Sequence, residues 1–258
     1  MAQGSLYDSE RLAAAYAGSR PPVHPRIMAA ARTRLAALGV PRVRRALDIG
    51  CGAGLSTAAL QPLALAHVGI EPVLTMLRHH GQVAPGALFV AGRAERLPFA
   101  SRAFDLVAAA GALNYADRSL ALPEIARVLS SRGVLLIYDF SGGRRTAGDG
   151  RLDEWFASFE RRYPYPPGYP MEVRRIDFAS AGLHLEAYEE LEIEIPMSSD
   201  AFLAYVMSET NVEQALREGA SETEIRTWCA EGMGGIFGDG ARGVLFDAYV
   251  AYVRHQPL

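Results

Sequence analysis

The chain has 258 residues, 50% of them hydrophobic, with a formal net charge of -3 and a pI near 6.1. That length supports one substantial core, and the charge balance excludes the positive field on which non-specific nucleic-acid binding rests. Two cysteines exclude a disulfide framework or a paired-cysteine metal site, and no run of eighteen uncharged apolar residues predicts a membrane span. The first twenty residues carry no apolar leader, so a cytoplasmic protein is expected.

Along the chain, residues 1–40 read as N-terminal cap helices. From 43 to 141, short apolar runs alternate with helical patterns, the signature of βαβ units feeding a parallel sheet. Strands are predicted at 45–50, 66–71, 87–91, 104–110 and 133–140. The clearest helix is at 118–130, where Leu122, Ile125, Ala126 and Leu129 share one face. Residues 142–170 form a loop-rich insertion around a short helix at 151–162, followed by a helix at 171–181. Two long alternating runs, 184–197 and 242–254, predict an antiparallel edge pair. The segment between them, a second insertion over 198–240, predicts helices at 199–218 and 221–232. The expected architecture is a single α/β domain over 1–258. Its core is a Rossmann-like, seven-stranded, mostly parallel sheet with an antiparallel edge pair and helical insertions.

The strongest local signal is LDIGCGAG at 47–54, a strand ending near Asp48 that turns through Gly50, Gly52 and Gly54 into a helix. Glycines there permit positive φ and let a ligand lie on bare backbone, and amides at the helix start favour its electron-rich groups. The spacing is not Gly-x-Gly-x-x-Gly, since Leu55 holds the sixth place. An acidic entrance disfavours a pyrophosphate and suits a ligand carrying an ammonium and a sulfonium. Seventeen residues after Gly54, Glu71 ends the second strand, where a carboxylate accepts hydrogen bonds from both hydroxyls of a ribose.

With these residues the sequence resembles the class I S-adenosylmethionine-dependent methyltransferases, in the type 11 branch that includes the ubiquinone and menaquinone C-methyltransferases. The resemblance implies that Asp48, Gly50, Gly52 and Gly54 contact the methionine part of S-adenosylmethionine and Glu71 the ribose, with Cys51 and Pro72 also among the cofactor-binding residues. GRAERLPF at 92–99 looks like the branch's Gly-Asp-Ala-Glu-x-Leu-Pro-Phe segment beside the adenine. Arg93 replaces the aspartate, leaving Ala94 and Glu95 as candidates, with Ala110 ending the fourth strand. ALNYAD at 112–117 is similar to the loop after that strand. It lacks the Asn/Asp-Pro-Pro-Tyr of enzymes that methylate nucleobases or glutamine, so the expected partner is a small molecule and not a nucleic acid. RPP at 20–22, after Tyr16, resembles an N-terminal cap. The likeness covers roughly residues 7–141.

Methyl transfer from a sulfonium is an in-line displacement that releases a thioether, S-adenosylhomocysteine, so the protein chiefly orients the reactants. A base is needed only for an acceptor protonated at neutral pH. Candidates are His24 in PPVHP and His184, with Asn114 and Tyr115 orienting the acceptor; the pair His79, His80 does not share a helical face, and no metal is expected. The insertions are dense in aromatics, including Trp155, Phe156, Phe159, Tyr163, Tyr165, Tyr169, Phe202, Tyr205 and Trp228, which line an acceptor pocket or pack the inserted helices. Tyr16, Trp155, Tyr205, Glu209 and Asn211 are the candidate acceptor contacts. O-methylation of a secondary metabolite is the first expectation, with C- or N-methylation next. The alternatives are a cofactor-binding relative without methyl transfer, cyclase-like or regulatory, and a nicotinamide-dependent reductase. The oligomeric state is not encoded in these patterns.

Overall fold

The computed structural model describes residues 6–167, 171–238 and 240–257. The chain divides into two compact units: one of Met1–Val23, Ser141–Gly168 and Glu192–Asp247, the other of His24–Phe140, Tyr169–Leu191 and Ala248–Leu258. We call them the helical unit and the sheet unit. The segments expected to cap and insert into the sheet, apart from residues 24–40, are those that gather into the helical unit.

In chain order the elements are α1 (Glu10–Ser19), α2 (Val23–Ala37), β1 (Val43–Ile49), α3 (Leu55–Ala59), β2 (Ala64–Glu71), α4 (Leu74–Leu77), α5 (His80–Val83), β3 (Leu88–Ala91), β4 (Phe104–Ala110), α6 (Arg118–Val128) and β5 (Leu129–Phe140). There follow β6 (Arg145–Thr146), α7 (Arg151–Arg162), β7 (Leu183–Met197), α8 (Ser199–Val206), α9 (Thr210–Arg217), α10 (Glu222–Phe237) and β8 (Arg242–His255). Strand order is β3-β2-β1-β4-β5-β8, with β7 also paired to β8. The first five strands are parallel, and β8 runs antiparallel to β5 in the register Asp139↔Tyr249 and Ile137↔Ala251. The two-residue β6, which the sequence pattern does not predict, pairs with Val244 and Leu245 in the helical unit.

Because side chains alternate along a strand, Leu47, Ile49, Val107, Leu135 and Ile137 point to one face of the sheet unit and form its core with Ile125 of α6. Asp117 caps α6, its side chain accepting from Ser119 N, and the helix buries Ala121, Leu122, Ile125 and Val128. Burying each large aliphatic side chain contributes about 1.5–3 kcal/mol. In the helical unit, Trp155 stacks on Phe159 at 5.2 Å and meets Phe156 and Phe202 edge-on, joining α7 to α8.

The expected helix at 171–181 is instead two 3-10 turns, Val173–Arg175 and Ala179–Ala181. Val173 and Phe178 are its buried anchors, five residues apart, which does not match a helical turn, and Asp177 Oδ1 accepts from Ser180 N to turn the chain. The helix expected at 199–218 breaks at 207–209: Ser208 Oγ donates to Tyr205 O at 2.6 Å, and Glu209 is extended at ψ 150 as the N-cap residue of α9. The last inserted helix reaches Phe237, past its expected end at 232.

Candidate functional site

The turn after β1 uses glycine for space as well as for φ. Gly50 has φ 63, and a Cβ there would lie 2.5 Å from Ala112 Cβ; Gly54, at φ 101, leads into α3. Gly50 N and Cys51 N both donate to Ile70 O, at 2.9 and 3.2 Å. Gly52 N donates to Glu71 Oε2 at 3.0 Å and Gly54 N to Cys51 O at 2.9 Å. These four amides are therefore spent inside the protein. The expected contribution of open amides to an electron-rich ligand is not made by them, and a pyrophosphate would find their N–H groups already donated.

The acceptors show the opposite condition. Asp48 is fully buried; its Oδ2 accepts from Ser56 Oγ and Thr57 Oγ1, both at 2.6 Å, whereas Oδ1 has no partner among the described residues. Burial pushes the Asp48 carboxyl up to about 7, against the two hydroxyls that pull it down, with Glu71 adding to the rise. Glu71, also buried, takes Gly52 N on Oε2 and Val73 N on Oε1; burial raises its carboxyl and these two amides oppose the rise. Each Glu71 oxygen keeps a second lone-pair direction. A site whose donors are spent and whose buried acceptor is orphaned fits a ligand rich in donors and positive charge.

The other expected contacts lie nearby in sequence and differ in setting. Pro72 is exposed, and Ala94 is buried in the turn between β3 and β4. Glu95 accepts from Asp117 N at 3.0 Å and meets the largely exposed Arg93 at 3.4 Å, so Arg93 turns to solvent and to Glu95. Ala110 closes β4, and Gly111, at φ 59, follows it. Asn114 Oδ1 is buried without a partner among the described residues, whereas Tyr115 is 58% exposed. His24 is buried, with Nδ1 2.9 Å from Tyr138 Oη and its ring edge-on to Phe140. His184 pairs with Glu186 at 2.8 Å on β7.

In the helical unit, three expected acceptor contacts converge on a residue the sequence reading treated only as part of the cap. Arg20 lies over the rings of Tyr16 and Tyr205, 4.4 and 5.3 Å from their centroids. Its Nη1 pairs with Glu209 Oε1 at 2.6 Å and its Nη2 donates to Ser208 O at 3.1 Å. Glu209 Oε2 accepts from Tyr165 Oη at 3.0 Å, and Tyr205 Oη donates to Gly142 O at 2.9 Å. Burial acts against the Arg20 charge, but Glu209 together with Tyr16, Tyr205 and Tyr7 outweighs it and raises the guanidinium. Trp155 is buried with its indole N–H unpartnered among the described residues. Asn211 has a backbone role instead: Nδ2 donates to Tyr163 O at 2.8 Å, and Oδ1 accepts from Val212 N at 3.0 Å. Tyr169 lies outside the described residues.

Comparison with known proteins bears on this arrangement. Residues 47–137, from β1 to β5, match the family described as Methyltransferase domain. Over this segment the chain is similar to methyltransferases. Among curated relatives, an uncharacterized methyltransferase of Mycobacterium bovis is 36% identical over 92 residues, covering 36% of this chain and 38% of that protein. A demethylmenaquinone methyltransferase of Renibacterium salmoninarum is 34% identical over 106 residues, covering 41% of this chain and 45% of its own length. The chain thus spans less than half the length of these curated relatives. A solved structure from Anaeromyxobacter dehalogenans, assigned to the type II methyltransferases, superposes with a TM-score of 0.64 at 21% identity. It covers 87% of this chain and 95% of that one, which shows the fold. Ser56 and Thr57, which hold Asp48, were not singled out in the sequence, although hydroxyl residues directly after the glycine turn are a readable signal.

Proposed function

We propose that this protein transfers a methyl group from S-adenosylmethionine to a small-molecule acceptor, an oxygen acceptor first. The observation that carries the reading is the combination of spent amides at 50, 51, 52 and 54 with the orphaned, buried Asp48 Oδ1 beside Glu71. Asp48 and the turn through Gly54 would hold the methionine part, Glu71 and Pro72 the ribose, Ala94 and Glu95 the adenine, and Ala110 the edge nearest the methyl. When bound, the cofactor supplies an activated methyl on a sulfonium. The protein's own part is to orient, to exclude water and to receive a proton where the acceptor carries one; alignment alone lowers such a barrier by on the order of 7–11 kcal/mol. Tyr16, Trp155, Tyr205 and Glu209 are proposed to meet the acceptor, while Asn211 is committed to backbone. Among the described residues no helix is long and apolar enough to cross a membrane.

The test is calorimetric titration of ligand-free protein with S-adenosylmethionine, S-adenosylhomocysteine and NADH. Binding of the two sulfur ligands without NADH is the expected result. Binding of NADH alone would replace this reading with a nicotinamide enzyme.

A further inference from the structure

Asp48 and Glu71 close β1 and β2, and a third carboxylate, Asp139, stands near the end of β5. In strand order Asp139 lies on the other side of β4 from them. The carboxyl ends of parallel strands are where α/β sheets place their ligands. Asp139 sits against bare backbone: a Cβ built on Gly111 would be 3.2 Å from Oδ1 and 3.4 Å from Oδ2. Phe140 N donates to Oδ1 at 2.9 Å, and Asn114 acts on the same carboxylate to lower its proton affinity. Asn114 has its own oxygen buried and unpartnered among the described residues, so the pair offers acceptor capacity that the protein does not use. From β8, Tyr249 faces Asp139 in register and stacks on Tyr188 of β7 at 5.8 Å. Among the described residues Asp139 forms no ion pair. His24, by contrast, packs on Tyr138 and Phe140, which point to the opposite face of β5.

Resting on the methyl-transfer reading above, we propose that Asp139, positioned by Asn114, faces the methyl acceptor and takes its proton, which makes the substrate class a hydroxyl or protonated-amine compound. The acceptor's proton passes to the Asp139 carboxylate, and the freed lone pair forms the bond to the methyl carbon. The bond from that carbon to the sulfonium donor breaks with its electron pair left on sulfur. Burial raises the Asp139 carboxyl above its ordinary range, while Phe140 N and Asn114 pull it back. A raised carboxyl brings its proton affinity nearer neutral pH, as base catalysis requires.

The test needs no knowledge of the acceptor. Carboxyl 13C resonances are titrated in the protein alone, with S-adenosylhomocysteine and with S-adenosylmethionine, Asp139 being assigned by its loss in Asp139→Asn. The two ligands differ by a methyl and a positive charge, and an opposite charge within about 4–6 Å lowers a carboxyl pKa by roughly 1–3. The expected result is an Asp139 midpoint at least about tenfold lower in proton affinity with the sulfonium ligand than with the thioether. Asn114→Ala should raise the midpoint in the unliganded protein, a change that a merely structural Asn114 would not make. Equal midpoints in the two complexes would overturn the proposal while leaving the cofactor reading intact. Failure of both ligands to bind would overturn both. A loss of more than about tenfold in S-adenosylhomocysteine affinity in a folded Asp139→Asn variant would make Asp139 a cofactor holder and also refute its role as proton acceptor.

Discussion

Replacing Asp48 by Asn gives a direct measure of what the carboxylate costs the empty protein. Asp48 is fully buried, and its carboxyl stands at about 7, against about 3.9 for an unfolded aspartate. A native group that binds its proton more tightly than the unfolded one stabilises the fold below the unfolded value; that advantage is lost as pH rises through the folded value. For Asp48 the window runs from about 4 to about 7, and the loss is about 4 kcal/mol, roughly 3 of which falls between pH 4.5 and 8. Asn keeps an oxygen for Ser56 and Thr57 and does not titrate. Urea unfolding of ligand-free wild type and Asp48→Asn, followed by far-ultraviolet circular dichroism at pH 4.5, 6 and 8, reads the difference. Carboxylates common to both, including Glu124 and Asp149, which arginine partners hold near about 2, cancel. The variant should gain on the wild type by about 3 kcal/mol across that range. Two parallel pH profiles would refute the reasoning and mean that Asp48 ionises in the fold without penalty.

Other consequences are as direct. Glu71→Ala should weaken S-adenosylmethionine binding by tenfold or more in calorimetry, since it removes the acceptor of Gly52 N and Val73 N together with the proposed ribose contact. Gly50→Ala meets a left-handed φ and a 2.5 Å approach to Ala112, so thermal unfolding should show a loss of at least about 1–2 kcal/mol. Arg20→Met leaves Glu209 buried beside tyrosines and should cost about 3–5 kcal/mol in urea unfolding, whereas Arg20→Met with Glu209→Met should recover most of it. If the single and double variants lose equally, the ion pair is not what matters there.

The sheet was legible because its signals are local. Apolar runs bounded by turn residues place β1 to β5, β7 and β8 within a few residues of their observed bounds, and the glycine turn reads directly from 47–54. Where the sequence misled, tertiary contacts had overridden spacing. The 171–181 segment carries helix-forming residues but is pinned at Val173 and Phe178, and the break at 207–209 follows from Ser208 and from Arg20, almost two hundred residues earlier. Arg20 entered only as the first residue of the RPP cap segment, and Asp139 carries no motif. A readable trace of Asp139 was present nonetheless: DIG, IEP and YDF each set an acid at the end of an apolar parallel strand. Only the first two had a family pattern to draw attention to them. Conversely, Asn211 looked like a polar intrusion on an apolar helix because sequence does not show that its amide is already bonded at both ends.

The helical unit is assembled from three separate stretches of chain, and the polypeptide passes between the units at 23/24, 140/141, 168/169, 191/192 and 247/248. Two of those passages lie within the strands β7 and β8, and another lies in the first turn of α2. Neither unit therefore corresponds to one exon-like block of sequence. Recombination that exchanged the aromatic unit for another would need several coordinated breakpoints, two of them inside hydrogen-bonded strands. Diversification of the helical unit by point substitution within a fixed scaffold is the route this connectivity leaves open.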